Sequence, residues 1–261
     1  MSREVVNTKQ ITVFKEDSKT LADDLVVLET PLTIYLNGDE LITLLCTPQK
    51  LDRLALGFLR SEGLLQSYDQ VENLRVKEEE GLVEVELSGG LSLAEKLYGK
   101  RTITSGCGKG TMFYSALDTL RSRPVGSQVK FDRRQIWSLM RLMHGHSGLY
   151  KATGGVHGAA LVDQSRVLFF FEDIGRHNAV DKIVGECLIG DISLEDKALI
   201  TTGRLSSEIL LKSAKLSLPV LISRSAPTSL TVELAEQLNI TVVGFARGRR
   251  MSVYTHPWRI I

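Results

Sequence analysis

Cysteine is scarce in this sequence, with three residues in 261, at positions 46, 107 and 187. So few thiols in an odd number make no disulfide framework and leave at least one sulfur free, which fits a reducing compartment. Net charge is also nearly absent, at +1. No chain-wide field therefore recruits nucleic acid or a membrane surface, and any basic site must be local. No apolar run approaches the roughly 18 residues of a membrane span. The polar stretch from Met1 to Thr20 lacks the apolar centre of a secretory signal. The expectation is a cytoplasmic protein with no membrane and no nucleic-acid partner. Several motifs are missing as well. There is no Walker lysine and no Gly-x-Gly-x-x-Gly turn, which argues against a simple NTPase. Zinc deaminases need His-x-Glu with Pro-Cys-x-x-Cys. Here Gly158-Ala159 follows His157, no Cys-x-x-Cys occurs, and His144 and His146 have no further ligands nearby. No metal is expected. Internal repeats and low-complexity segments are lacking too.

What is present is ordinary globular composition, 43% hydrophobic and 24% charged. The length suits one large domain or two modest ones with a real core. Residues 1 to about 24 alternate weakly and suggest an edge strand with a loose leader. Leu32–Leu36 and Glu40–Cys46 read as strands around Asn37-Gly38, a type I′ hairpin turn. Thr47-Pro48 reads as a helix start, with a hydroxyl cap and proline at the first position. Leu51, Leu54, Ala55, Phe58 and Leu59 then share a helical face, and Gly63 ends the helix. Two further strands fall between Val71 and Leu87 around Glu80-Gly81. The stretch Arg121-Ser-Arg-Pro-Val-Gly reads as a linker, and a helix capped by Asp132 follows to Gly145. Strands are expected at Val156–Val162 and Arg166–Glu172, with a helix bearing Val180, Ile183, Val184, Cys187 and Leu188 on one face. Strands Ala198–Thr201, Val220–Ser223 and Ile240–Gly244 alternate with helices near Ser206–Leu216 and Ser229–Leu238, which implies parallel pairing. Cys46 and Cys187 read as core.

Chemistry concentrates in a few places. Thr104-Ser-Gly-Cys107-Gly-Lys109-Gly110 flanks a sulfur with glycine and sets a cation beside it, and a neighbouring cation favours the reactive thiolate. Such a loop presents a sulfur, or it is a turn that happens to hold a small apolar cysteine. In an open α/β sheet, ligands bind beyond the carboxyl ends of the strands. The three late strands end there in Thr202-Gly203-Arg204, Ser223-Arg224-Ser225-Ala226-Pro227-Thr228 and Phe245-Ala246-Arg247-Gly248-Arg249-Arg250. Hydroxyls, helix N-termini and guanidinium forks are the parts that hold phosphates, although three arginines in four residues also suit a solvated loop. His157, in Thr153-Gly-Gly-Val-His157, and the cluster Asp173, Arg176 and His177 are further polar groups, without proton chemistry following from them.

Together these segments closely resemble the FdhD family. They are Pro31-Leu-Thr-Ile-Tyr-Leu-Asn-Gly, Leu56-Gly-Phe-Leu-Arg-Ser-Glu-Gly63, the Cys107 loop, Thr153-Gly-Gly-Val-His157, Glu172-Asp-Ile-Gly-Arg-His-Asn-Ala-Val-Asp-Lys182, Ser225-Ala-Pro-Thr-Ser229 and Gly244-Phe-Ala-Arg-Gly-Arg-Arg250. The resemblance runs from about residue 24 to Tyr254. It implies an accessory sulfurtransferase of formate dehydrogenase. The implied fold is α/β (α+β overall): a cytidine-deaminase-like C-terminal domain over 126–261 with a mixed or parallel sheet and flanking helices, and a smaller α+β N-terminal subdomain over 1–125 ending in the Cys107 loop. It further implies a homodimer. One cysteine takes sulfur from a cysteine desulfurase as a persulfide. That sulfur passes to the molybdenum (or tungsten) bis-molybdopterin guanine dinucleotide cofactor before insertion into apo-formate dehydrogenase.

Carried onto this chain, the resemblance makes Cys107 the sulfur carrier, and Phe245, Ala246, Arg247, Gly248, Arg249 and Arg250 the cofactor-binding segment. Gly203, Arg204, Ser225, Thr228 and His177 would help hold guanine nucleotide or phosphate, with GDP or GTP as a mimic. Many members carry Cys-x-x-Cys in the loop, whereas this chain has Cys107-Gly-Lys-Gly110. One thiol suffices to accept and release sulfur, and any mechanism needing an intraloop dithiol is excluded. Two other readings compete: a non-catalytic chaperone that docks the cofactor onto apo-formate dehydrogenase, and a degenerate deaminase-fold nucleotide binder.

Overall fold

The structure, a computed structural model, describes residues 4–88, 102–103, 111–112 and 123–261. The Cys107 loop, 104–110, lies outside the described residues. The chain begins with β1 (Val6–Lys15) and β2 (Ser18–Val27), an antiparallel two-stranded ribbon in register from Val6↔Val27 to Lys15↔Ser18. The sequence suggests one edge strand here, and the finding is a complete hairpin that joins neither larger sheet. Most of its residues are exposed on both faces, so no buried face imprints an alternation on the sequence.

A four-stranded sheet follows, in the order β4-β3-β6-β5. It is built from β3 (Thr30–Leu36), β4 (Asp39–Cys46), β5 (Val71–Lys77) and β6 (Leu82–Leu87). Asn37 and Gly38 turn β3 into β4 with φ of 52° and 88°, the left-handed pair that a type I′ turn requires. Helix α1 (Leu51–Glu62) buries Leu51, Leu54, Ala55, Phe58 and Leu59 against this sheet and stops at Gly63, φ 80°. Its N-cap position is Lys50, not Thr47. The Thr47 hydroxyl is committed to Asp173, far along the chain. A short antiparallel pair, β7 (Thr102–Ile103) and β8 (Thr111–Met112), flanks the Cys107 loop.

From Arg123 the chain is not a free linker. Val125 is buried, its N–H donates to the Leu238 carbonyl, and its own carbonyl accepts from Asn239 Nδ2. Helices α2 (Arg133–His146) and α3 (Gly148–Thr153) lead into a six-stranded sheet. Its strands are β9 (His157–Val162), β10 (Val167–Asp173), β11 (Ala198–Thr201), β12 (Val220–Ser223), β13 (Thr241–Arg247) and β14 (Arg250–Val253). The order is β10-β9-β11-β12-β13-β14. Parallel pairing is confined to β11-β12-β13, and the flanking pairs are antiparallel. Both faces of this mixed sheet are covered, which explains the near-continuous apolar runs of its strands. Leu199, Leu221 and Val242 pack with α4 (Arg176–Ile189), α5 (Ser207–Lys215) and α6 (Ser229–Gln237). Ile200, Ile222 and Val243 pack with Ile136, Leu139 and Met143 of α2 on the other face.

The two sheet systems meet where α1 crosses α4. A Cβ on Gly57 would run into the Asp181 carbonyl, its carbon 2.6 Å away, and would lie 2.9 Å from the Gly185 amide nitrogen. A Cβ on Gly185 would meet the Arg53 carbonyl in the same way, at 2.7 Å from its carbon. Glycine on both helices lets the backbones touch. Among the described residues, no helix is long and apolar enough to cross a membrane.

Candidate functional site

The motif Glu172–Lys182 is largely a brace. Asp173, fully buried at the end of β10, pairs with the equally buried Lys182 at 2.6 Å. The same carboxylate accepts from the Thr47 amide and hydroxyl, the Gly175 amide and Asn178 Nδ2. Asn178 Nδ2 also donates to the Leu45 carbonyl, and Lys182 Nζ donates to Thr47 Oγ1 at 2.8 Å. A second buried pair, Asp181 and Lys212 at 2.7 Å, takes in Ser61 of α1. Burial works against the Lys212 ammonium, but the carboxylates of Asp181, Glu62 and Glu208 outweigh it and hold its pKa above the ordinary lysine value. These groups lock the N-terminal sheet to the C-terminal one. Asp173, one of the polar groups singled out in the sequence, therefore serves the scaffold. Glu172 caps α3, accepting from the amides of Leu149 and Tyr150.

The rim sits on this brace. Thr202 follows β11, and its hydroxyl accepts from the Gly158 amide at 3.0 Å. The same hydroxyl lies 3.4 Å from His157 Nδ1. Burial, then Arg176, then His177 push the His157 pKa below its ordinary value, with Asp173 pulling weakly the other way. An ordinary histidine value of about 6.5 pushed further down leaves His157 mostly neutral at pH 7. His177 Nε2 lies 2.7 Å from Glu208 Oε2 and 3.4 Å from Ser206 Oγ at the start of α5. Gly203 is buried because Arg176 lies over it, and a Cβ there would meet the Arg176 side chain at 3.0 Å. Ser223 Oγ donates to the Gly203 carbonyl and accepts from the Ser225 amide, tying the first two rim loops together. The Phe245 amide donates to the Ser225 carbonyl at 3.0 Å and ties in the third.

A cleft of about 360 Å³ opens beside this rim, lined by His157, Thr202, Arg224, Tyr150, His144 and Met143 among others. Arg204 and Arg224 are exposed. Thr228 is the N-cap of α6, and its hydroxyl accepts from the Thr231 amide. Phe245 to Arg250 is a β-hairpin rather than a loop. β13 runs on to Arg247, Gly248 turns with φ 62°, and Arg250 begins β14 opposite Arg247. The register shifts between Gly244 and Arg247, where Phe245 has φ 51°. Ala246 points into the core and offers a ligand only its backbone, whereas Arg247, Arg249 and Arg250 are exposed. The Arg247 guanidinium lies 5.9 Å from the centre of the Phe245 ring. The fold thus brings His157, Arg176, His177 and Gly203 together and links them through Ser225 to the base of the arginine hairpin. Among the described residues, no cluster of histidine, cysteine, aspartate and glutamate is grouped to hold a metal ion.

Comparison with known proteins gives this geometry a family. The FdhD/NarQ family profile matches residues 27–261. The chain belongs to the FdhD/NarQ family. The sulfur carrier protein FdhD of Bacillus subtilis is 42% identical over 260 residues, covering 100% of this chain and 99% of that protein. Its namesake from Staphylococcus aureus strain MRSA252 is 42% identical over 257 residues, covering 98% and 97%. Among solved structures, one assigned as a formate dehydrogenase accessory protein from Desulfotalea psychrophila superposes with a TM-score of 0.82 at 27% identity. That match covers 99% of this chain and 100% of the other.

With relatives named sulfur carriers, the thiols of this FdhD/NarQ chain come next. Cys46 is 0% exposed and Cys187 is 3% exposed, both in cores, as the sequence pattern implies. Burial pushes the Cys187 thiol up to about 12, so it is not a thiolate at neutral pH. Sequence reasoning placed Thr202 in the rim and missed Glu208, which holds His177. Thr202 had a signal in its place just after β11. Glu208 looks like an ordinary first-turn acid of a helix, and its tie to His177 is visible only in three dimensions.

Proposed function

We propose that this FdhD/NarQ chain is a single-thiol sulfur carrier serving formate dehydrogenase, with Cys107 as the working sulfur. The observation that carries this reading is the burial of the other two thiols in a family whose relatives are named sulfur carriers. A sulfurtransferase cycle then runs as follows. The Cys107 thiolate attacks the outer sulfur of a cysteine desulfurase persulfide. The desulfurase S–S bond breaks, a new S–S bond forms on Cys107, and the desulfurase thiolate leaves. The sulfur is destined for Mo-bis(molybdopterin guanine dinucleotide), which is cargo on its way to apo-formate dehydrogenase.

The basic hairpin suits that cargo. Arg247, Arg249 and Arg250 are exposed forks for pyrophosphate, with bidentate charge-assisted bonds as their natural contact. His177, Arg204 and the backbone around Gly203 and Ser225 would face the nucleotide end, and GDP or GTP would serve as a mimic. The working form would be a cytoplasmic homodimer.

One variant separates carrier from docking chaperone, and a second tests the nucleotide site that both need. Cys107→Ala should abolish formate dehydrogenase activation while GDP binding persists. Arg247→Ala with Arg250→Ala should weaken GDP binding, and unchanged binding there would send the nucleotide elsewhere. Full activation by Cys107→Ala would refute the carrier and leave the chaperone.

A further inference from the structure

The amino-terminal ribbon has more edge than a monomer needs. An isolated two-stranded hairpin is marginally stable in water, and independent stability needs a third strand or a helix beneath it. Among the described residues, the ribbon meets the body of the protein near its base, where Val27 lies against Gly155 next to α3. Phe14 is 71% exposed and Leu21 is 69% exposed, and Leu25 and Val26 are exposed too. Among the described residues, neither outer edge pairs with another strand. Open edges of this length are templates for strand addition.

The charges say which edge and which partner. β1 carries Lys9 and Lys15 and no acid, so no register of β1 against its own copy makes an ion pair. β2 carries Lys19, Asp23 and Asp24. Antiparallel pairing of β2 with its copy about a two-fold through Leu21 sets Leu21 against Leu21 and Lys19 against Asp23, twice. Thr20 then faces Ala22 and Ser18 faces Asp24, so no like charges oppose. Centring on Thr20 instead sets Asp17 against Asp23, and centring on Asp23 or Asp24 sets that carboxylate against its twin. Centring on Ala22 makes no ion pair.

We propose that the outer edge of β2 is the self-association edge of this protein, pairing about Leu21 to form a continuous four-stranded sheet β1-β2-β2-β1 across two copies. The contact is isologous and closed, and it removes one exposed edge from each copy. It deepens the homodimer reading above and rests on it.

Sedimentation velocity of the full chain tests this directly. Wild type should be a dimer at micromolar concentration. Lys19→Asp and Asp23→Lys should each raise the dissociation constant about 10-fold or more, since each sets like charges face to face twice. The double variant Lys19→Asp with Asp23→Lys should recover the dimer. A wild-type dimer that neither single variant weakens, or that the double variant does not recover, overturns the β2 edge and leaves the homodimer standing. A wild-type monomer at about 100 µM, where a contact of roughly millimolar affinity or weaker would go undetected, overturns both. Independently, Leu21→Cys in a Cys107→Ala background should give a disulfide-linked dimer under mild oxidation. Directly opposed residues sit about 4.5–5.5 Å apart, within disulfide reach. Thr12→Cys on β1 should not cross-link, and cross-linking at Thr12 in place of Leu21 would refute the assignment.

Discussion

Replacing Asp173 with alanine removes the centre of the brace between the two sheets. The buried Lys182 ammonium loses its 2.6 Å partner, and stranding one member of a buried pair costs about 3–5 kcal/mol. The Thr47 and Gly175 amides lose their acceptors as well, at about 1–3 kcal/mol for each buried donor left unsatisfied. These costs overlap, because local relaxation and water entry relieve them together, so the expected loss is about 4 kcal/mol in all. That is a large share of a typical stability of about 5–15 kcal/mol. The assay uses the thiol next door. In a Cys107→Ala background, Cys46 immediately precedes Thr47 and is fully buried, so its reaction with a disulfide reagent reports opening at the brace. At 1.4 kcal/mol per tenfold, labelling should accelerate about 10³-fold, with a matching fall in the urea midpoint. Asp173→Leu combined with Lys182→Met should recover much of the loss by removing both charges. Labelling and midpoint shifts worth less than about 1 kcal/mol for Asp173→Ala would refute the bracing role.

Three further substitutions test the same geometry. Gly57→Ala forces a methyl into the Asp181 carbonyl and should cost about 3 kcal/mol, beyond the roughly 1 kcal/mol that alanine returns in helix propensity. Gly145→Ala, with nothing within 4 Å, should be neutral or stabilising, and equal urea midpoints for the two variants would contradict the close helix crossing. His157, whose pKa is lowered mainly by burial, resists a proton that the unfolded chain accepts. Its contribution is therefore steady above the unfolded value of about 6.5 and declines as pH falls from there toward the depressed folded value. His157→Gln should flatten that acid-side decline, and an unchanged pH profile would show that His157 takes up its proton freely in the folded state.

What could be read along the chain was what local chemistry decides. Asn37-Gly38 and Gly63 mark a turn and a helix end because left-handed backbone is demanded within a few residues. The strands Ala198–Thr201 and Val220–Ser223 stand out because both sheet faces are covered. Thr47 misleads because its hydroxyl serves a carboxylate 126 residues away instead of the adjacent helix. The scaffold role of Asp173 is hidden for a similar reason, since a buried charge that joins two sheets carries the same residue type as a binding loop. Phe245 to Arg250 hides its hairpin because the register shift breaks the alternation that would announce a strand. The ribbon at the amino terminus hides because nothing among the described residues buries either of its faces deeply.

Intact-protein mass spectrometry after incubation with a cysteine desulfurase and L-cysteine tests the central claim most directly. Wild type should show a reducible gain of one sulfur, about 32 Da. The gain should vanish in Cys107→Ala and persist in Cys46→Ala and Cys187→Ala. No gain on wild type with an active desulfurase, or a gain that survives Cys107→Ala, would contradict it.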